Sequence, residues 1–267
     1  TSQIGEGKNV VAVILGDGWY RGGLGADSAR NCFGERLKLA FRLVLEYTDG
    51  ETVTIESDEQ TLATQDGPLR QNDLKIDEVY DARKEMRGWN RADFDDHLWH
   101  GVKLSSYKGE VVAHEGEPIL CQETFVPRIL HTPNGSTVLD FGQNMTGRMK
   151  FRVSGHDGHT VSMLLGETLD ENKNFTMKNL KIQGTGSHVA EDLQRLTYTL
   201  REGAQEYAPH FLISGFRYVK LENWPEEVKV ENFEAVAIYS ALQETGSFTC
   251  SNELINQFVK NVRWSQK

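Results

Sequence analysis

Hydrophobic and polar residues alternate along much of the chain with the two-residue period of β-strands. The clearest case is LKLAFRLVLEYTDGETVTIESD (37–58), where two alternating runs flank Asp49–Gly50. Asp-Gly between alternating runs is the strongest short-range signal for a β-hairpin. Similar runs bounded by turn residues predict further strands at 9–15, 137–142, 147–155, 159–170, 194–203, 216–224 and 233–240. This pattern predicts an all-β fold.

Two polar stretches interrupt the strand pattern. DFGQNMTG (140–147) is typical of a strand end, a polar turn and a strand restart. Residues 171–193 form a long polar segment that predicts a loop.

The C-terminal residues follow a helical pattern instead. Ser251 is suited to cap the helix because its hydroxyl can accept from an unpaired backbone N–H, and Glu253 suits the first turn. The apolar positions that fall on one face are Leu254, Ile255, Phe258 and Val262. Exposing four such side chains is unfavourable. The helix is therefore expected to fray, to pack back on the preceding strands or to pair with another copy in a homodimer.

Changes in pattern divide the chain into three units. Residues 1–105 and 106–245 are predicted to form two antiparallel β-sandwich domains, and 246–267 a linker and a helix. The first domain boundary is predicted near 104–118, after a polar segment that contains several aromatic residues. The second is predicted near 241–247.

Composition narrows the possible partners. The 267 residues include 29 basic and 39 acidic side chains, for a net charge of −10. That balance argues against nucleic acid, which is bound through basic patches, and against docking on anionic lipid. No apolar run approaches the length of about 20 residues that spans a membrane. Three widely spaced cysteines in no metal-binding pattern are expected to be free thiols.

The glycine-rich stretch GDGWYRGGLG (16–25) is the first candidate for binding. It lacks the spacing and the lysine of a phosphate-binding P-loop. Its Trp19, together with Trp89, could instead stack on the apolar face of a sugar ring, with Tyr20 and Trp99 as further candidates. Aromatic residues also dominate ordinary protein cores, so core packing is the alternative.

The segment 72–99 is rich in carboxylates and amides. Calcium binds six or more oxygens, which these side chains could supply, with Asn72 and Asp73 as the favoured substrate-binding candidates. The acidic and amide residues concerned are Asn72, Asp73, Asp77, Glu78, Asp81, Asp93, Asp95 and Asp96. They do not follow the EF-hand pattern. The alternative is local pairing with the basic residues Arg83, Lys84 and Arg87, together with Asx turns.

No self-contained catalytic set emerges from the remaining motifs. The sequence contains no HExxH and no G-x-S-x-G, and its D-F-G lacks the accompanying kinase motifs. His210 lies beside an apolar strand, where a structural histidine is the favoured interpretation.

Several motifs, in order, resemble the front half of bacterial α-L-rhamnosidases of glycoside hydrolase family 78. NVVAVILGDGWYRGGLG, DEVYDAR and GWNRADFDDHLW resemble the family's N-terminal β-sandwich. VLDFGQNMTGRMKFRVSG, GETLD, PHFLISGFRYVKLENWP and IYSALQETGSFTCSNELINQ resemble the β-sandwich that precedes its catalytic domain. The likeness covers nearly the whole chain.

This resemblance implies a specific function. The family hydrolyses terminal α-L-rhamnosides with inversion, using acidic residues of an (α/α)6 barrel that 246–267 would begin. The chain is then expected to carry no catalytic residue, to require no cofactor and to have the barrel and a rhamnose-containing carbohydrate as partners. Some family sandwiches bind rhamnose with calcium, so the alternative is a stand-alone rhamnose-binding module. Its candidate residues are Trp19, Trp89, Asn72 and Asp73.

Overall fold

Strands dominate the structure, a computed structural model that describes residues 4–24, 29–74, 76–106, 110–180 and 193–267. The strands are β1 (Arg42–Glu46), β2 (Thr52–Glu56), β3 (Leu62–Ala63), β4 (Leu69–Asn72), β5 (Asp77–Asp81), β6 (His100–Gly101), β7 (Ile119–Phe125), β8 (Arg128–His131), β9 (Thr137–Gly155), β10 (Thr160–Gly166), β11 (Thr168–Leu169), β12 (Phe175–Thr176), β13 (Arg195–Thr199), β14 (Gly203–Tyr207), β15 (Ser214–Glu222) and β16 (Phe233–Ser240). The helices are α1 (Gly18–Arg21) and α2 (Glu253–Gln266), with short 3-10 helices at Ala82–Lys84, Lys178–Leu180 and Val230–Asn232. The all-β prediction is confirmed.

One large sheet organises most of the chain. Its strands run in the order β4-β5-β13-β10-β15-β9-β16-β7, and β8 and β14 also pair with β9. The pairing of β5 with β13 is parallel, so the prediction of purely antiparallel sandwiches is wrong there. Strands β4 and β5 precede residue 105, yet they are hydrogen-bonded into the same sheet as strands from 119–240. The boundary between 105 and 106 stays a prediction.

The large sheet curls around a core built from alternating strand positions. In β13, for example, Leu196 and Tyr198 are fully buried while their neighbours are only partly covered. Phe151 of β9 and Phe216 of β15 are buried to the same degree and belong to the same cluster. The two-residue period of the sequence therefore directs one face of strands such as β13, β15 and β16 inward, which makes the fold sandwich-like. Within the described ranges, no helix is long and apolar enough to cross a membrane.

Strand β9 corrects the prediction of a turn at 140–147. The strand continues through this segment and forms a bulge, since Tyr218 of β15 pairs with Asp140 whereas Phe216 pairs with Met145. Gly142 adopts a φ of 78°, which glycine tolerates best, and its N–H donates to Asp140 at 2.8 Å. Burial opposes ionisation of Asp140, but two hydrogen bonds from Arg217 and that amide hold its pKa below the usual value. The polar residues therefore stabilise a bulge within one strand.

The N-terminal half contains one confirmed hairpin and one wrong strand prediction. β1 and β2 pair from Arg42 opposite Glu56 to Glu46 opposite Thr52, around the Asp-Gly turn. Residues 9–15, in contrast, adopt no regular structure. Val11 and Val13 in this stretch are 52% and 46% exposed. A β-branched run favours a strand only where a neighbouring strand supplies hydrogen bonds and packing.

Two further predictions near the C-terminal side need correction. The predicted loop 171–193 contains β12 and a 3-10 helix, and its residues 181–192 lie outside the described part of the chain. Helix α2 forms as predicted, but its cap is Asn252 and not Ser251. The Asn252 side chain accepts from the backbone of Leu254 at 3.0 Å and of Ile255 at 3.4 Å.

The carboxylate of Glu78 joins the two halves of the chain at the centre of the fold. It is fully buried on β5. It accepts hydrogen bonds from the Tyr207 hydroxyl at 2.6 Å and from the backbone N–H groups of His210, Phe211 and Leu212 at 2.9, 2.8 and 3.2 Å. Four donors fill the acceptor positions of a carboxylate. The turn between β14 and β15 is therefore held by a side chain far away in sequence.

We predict that Glu78→Gln destabilises the protein by roughly 2–5 kcal/mol, because in either orientation the new amide group leaves two buried donors without an acceptor. Urea unfolding followed by tryptophan fluorescence measures this. The matched control is Glu227→Gln on the surface, which should stay within about 0.5 kcal/mol of the original chain. Equal stability of the two variants would contradict the central role of Glu78.

Candidate functional site

A broad open cleft lies in the N-terminal half of the described structure. It has a volume of about 4000 Å³ and is lined by residues from the segments 4–15, 35–41, 60–72 and 85–105. Pockets that enclose a small ligand are typically 300–1,000 Å³. The cleft is therefore too large to enclose a single sugar residue, although a sugar could still bind on one of its walls.

The four aromatic candidates do not meet at one place. Trp89, Tyr20 and Trp99 line the cleft, whereas Trp19 is outside its described lining and is 51% exposed on α1. The ring of Trp99 packs edge-on against Phe94, with 5.9 Å between centroids. A sugar platform made of Trp19 and Trp89 stays a prediction.

Asn72 and Asp73 fasten the glycine-rich stretch to the large sheet. The Asn72 side chain accepts from the backbone of Asp17 at 2.8 Å. Asp73 is 1% exposed and accepts from the backbone of Gly23 at 2.6 Å and from Arg30 at 3.1 Å. Both side chains are thus engaged by protein donors in this structure.

Two glycines make this close approach possible. A Cβ at Gly16 would lie 2.6 Å from the Asn72 carbonyl oxygen and 2.9 Å from the Phe211 ring. A Cβ at Gly22 would lie 2.8 Å from the Asp73 carboxylate. The glycines of this stretch therefore allow the backbone to pack against Asn72 and Asp73, which agrees with a glycine-rich structural turn.

Two other acidic residues of 72–99, Asp81 and Asp95, form local pairs. Asp81 makes two side-chain hydrogen bonds with Arg83, at 2.9 and 2.8 Å, and Asp95 bonds to His97 at 2.7 Å. Lys84 pairs at 2.6 Å with Asp66. Among the described residues, no group of three or more His, Cys, Asp or Glu side chains is placed to hold a metal ion. Binding of calcium together with sugar stays a prediction.

Glu78, Tyr207 and His210 form a hydrogen-bonded chain that sequence reasoning missed. Burial and the Glu78 carboxylate raise the pKa of Tyr207. The phenol therefore stays protonated and donates a hydrogen bond to Glu78. The Tyr207 oxygen, 3.0 Å from Nδ1 of His210, must then accept from that nitrogen. With Nδ1 as the donor, the neutral form of the ring has Nε2 as its hydrogen-bond acceptor.

A sequence signal for this chain did exist. Glu78 and Tyr80 occupy the same face of β5, and that face is buried. A carboxylate at an inward position of an alternating strand requires donors supplied by other parts of the protein. The identity of those donors depends on the parallel pairing of β5 with β13, which the sequence pattern did not predict.

Helix α2 is attached to the sheet at its C-terminal end. The Trp264 ring lies edge-on to Phe125, with 5.7 Å between centroids. Lys267 bonds to Glu123 at 2.7 Å, and Glu123 also accepts from Tyr239 at 2.6 Å. At this end the helix therefore packs back on the preceding strands, which was one of the three predicted alternatives.

The apolar stripe of α2 remains uncovered in this structure. Its four side chains are between 45% and 81% exposed: Leu254 81%, Ile255 45%, Phe258 65% and Val262 51%. A contiguous apolar surface of this kind is typical of an interaction site. It is the second candidate functional feature of the chain.

Two protein-family descriptions match the chain. Residues 1–123 match the α-L-rhamnosidase N-terminal domain, and residues 130–239 match the bacterial α-L-rhamnosidase concanavalin-like domain. An α-L-rhamnosidase of Streptomyces avermitilis is 32% identical over all of this chain, and one of Formosa agariphila is 27% identical over 99% of it. The chain spans 25% and 28% of the length of these two relatives.

Solved structures show the same likeness. The α-L-rhamnosidase of Aspergillus terreus matches 94% of this chain with a TM-score of 0.85 and 32% identity. The Streptomyces avermitilis enzyme in complex with L-rhamnose also matches 94%, with a TM-score of 0.84 and 31% identity. The chain covers 28% and 24% of those two proteins. Through its two matched domains, the chain belongs to the bacterial α-L-rhamnosidase family.

Proposed function

We propose that this chain is the non-catalytic part of an enzyme that hydrolyses terminal α-L-rhamnosyl linkages with inversion. The observation that carries the proposal is the likeness to α-L-rhamnosidases over nearly the whole chain. The matched region nevertheless makes up only about a quarter of each relative's length. One of those relatives is solved with L-rhamnose bound, which supports rhamnose-containing glycosides as the substrate class.

The chemistry of inversion supports placing catalysis in another domain. An inverting glycosidase needs one carboxylic acid at the leaving oxygen and one carboxylate that activates water. The buried carboxylates described here are Asp73, Glu78 and Asp140. Each already accepts hydrogen bonds from protein donors. None of these three is thus available as a general acid or base without disrupting the fold.

The role of the chain in the enzyme is to support the catalytic domain. Trp264 and Lys267 fix one end of α2 to the large sheet, while the stripe on the helix faces solvent. We infer that neighbouring helices of the catalytic (α/α) barrel cover this stripe. Burial of each large apolar side chain there is worth about 1.5–3 kcal/mol. The sheet then sets the position of the barrel's first helix.

The proposal predicts that the 267-residue chain alone does not hydrolyse 4-nitrophenyl α-L-rhamnopyranoside. Release of nitrophenolate should equal that in buffer, while the full-length Streptomyces avermitilis relative provides the positive control. Turnover above buffer that disappears when an Asp or Glu of this chain is replaced would contradict the non-catalytic role.

We also predict that the isolated chain self-associates through the α2 stripe, because the stripe is uncovered. Sedimentation velocity should show a concentration-dependent monomer–dimer equilibrium, and Phe258→Glu should shift it toward monomer. Gln257→Glu adds the same charge at the adjacent exposed position and should leave the equilibrium unchanged. A monomeric original chain at all concentrations, or dimers of Phe258→Glu equal to those of the original chain, would refute this role of the stripe.

A further inference from the structure

A second, smaller pocket lies where β5, β9 and β14 approach the turn that carries His210. Its volume is about 490 Å³, within the range typical of small-molecule sites. We call it the His210 pocket. Its lining includes Tyr80, Glu85, Arg148, Lys150, Glu206 and His210. It shares Tyr80, Glu85 and His210 with the lining of the broad cleft, but its own lining contains none of the four sugar-binding candidates and no residue of the α2 stripe.

The floor of the His210 pocket is an aromatic column. The imidazole of His210 is stacked on Tyr80, with 5.8 Å between centroids and 10° between planes. Tyr80 is in turn stacked on Tyr198 at 5.5 Å and 3°. Both tyrosines are buried while His210 is exposed, so the imidazole is the solvent-facing end of the column. A planar ring fixed in this way can pack against the C–H face of a sugar.

The imidazole also offers a defined acceptor. Because Nδ1 of His210 donates to Tyr207, and Tyr207 donates to Glu78, the neutral ring keeps its lone pair on Nε2. The backbone N–H of His210 is bonded to the same carboxylate at 2.9 Å, which fixes the residue at two points. A hydroxyl group of a ligand could donate to this nitrogen.

Arg148 supplies the complementary donor. One terminal nitrogen of its guanidinium donates to the Pro209 carbonyl at 3.0 Å, next to His210 in the chain. Its Nε–H is buried and has no hydrogen-bond partner within the described structure. A buried donor without an acceptor is costly, and a ligand oxygen would relieve that cost.

The carboxylates and the lysine around the His210 pocket are already paired, whereas the guanidinium of Arg148 contacts only neutral acceptors within the described structure. Lys150 lies 2.8 Å from Glu206, and Glu85 lies 3.4 Å from Arg201 while also accepting from the Tyr80 hydroxyl at 3.2 Å. Hydrogen bonds from Lys150 and Arg152 lower the pKa of Glu206, which stays ionised at neutral pH. A cation would therefore gain little from this site, whereas a neutral hydroxylated ligand can use its donors and acceptors. Acetate is the probe for an anion at Arg148.

We propose that the His210 pocket binds one residue of a neutral carbohydrate, whose C–H face packs on the imidazole, whose hydroxyl donates to Nε2 of His210 and whose oxygen accepts from Nε of Arg148. This non-catalytic subsite is independent of the proposed rhamnoside hydrolysis. The proposal rests on the geometry of the pocket. It would still hold if the parent enzyme acted on another glycoside.

NMR of the imidazole nitrogens in the 267-residue chain tests the proposal directly. At neutral pH, His210 should show the tautomer protonated at Nδ1. Titration with methyl α-L-rhamnopyranoside or methyl α-D-glucopyranoside should shift its Nε2 signal saturably for at least one sugar, while sodium acetate should not. The tautomer protonated at Nε2, an Nε2 signal unmoved by both sugars, or a response to acetate alone would overturn the proposal.

A pair of arginine variants tests the donor. Arg148→Met keeps an unbranched side chain but removes Nε, and should weaken the binding of the responding sugar about tenfold. Arg128→Met on β8 removes an exposed arginine outside the described lining of the pocket, and should change affinity less than twofold. Unchanged binding by Arg148→Met would overturn the role of Nε. If that variant does not fold, the titration of the original chain decides the question alone.

Discussion

The buried carboxylate of Glu78 is the interaction on which the rest of the structure depends. It lies on a strand of the N-terminal half, and within the described part of the chain its donors all belong to residues 207–212. A buried charge is tolerated only when hydrogen bonds replace its hydration. Three consecutive backbone amides and one hydroxyl do so here. The carboxylate therefore determines where the turn between β14 and β15 lies relative to β5.

Several other features follow from this arrangement. The parallel pairing of β5 with β13 aligns Glu78 with Leu196 and Tyr80 with Tyr198, which stacks the two tyrosine rings. Gly16 of the glycine-rich stretch packs against Asn72 and Phe211, and the backbone amide of Phe211 donates to Glu78. The two halves are thus joined by the backbone pairing of β5 with β13, by one buried carboxylate and by one aromatic column. The same connection presents the imidazole of His210 to solvent with one nitrogen free.

The sequence was informative where local chemistry decides the structure. The Asp-Gly hairpin, the strand 233–240 and the apolar face of α2 were all predicted, because turn residues and periodicity specify them locally. The run at 9–15 was misassigned because a strand also needs a partner. The cap of α2 moved from Ser251 to the neighbouring Asn252, an equally suitable residue, because one position separates two alternatives that the pattern cannot distinguish.

Long-range contacts could not be predicted from the sequence pattern. Asp73 and Glu78 were grouped with other acids as oxygen ligands for calcium, but in the fold they accept hydrogen bonds from residues 43–50 and 129–134 positions away. The bulge at Asp140 likewise depends on Arg217 in a different strand. The resemblance to rhamnosidases identified the family without any of this geometry. The candidate sites could be located only once the strand order was known.

Amide hydrogen exchange at the β14–β15 turn tests the central role of Glu78 most directly. If the buried carboxylate holds this turn, the amides of His210, Phe211 and Leu212 should exchange as slowly as those of core strands such as β15, and all three should open together. Exchange at the rate of exposed turns, while the strand amides stay protected, would show that Glu78 does not hold the turn and would contradict this account.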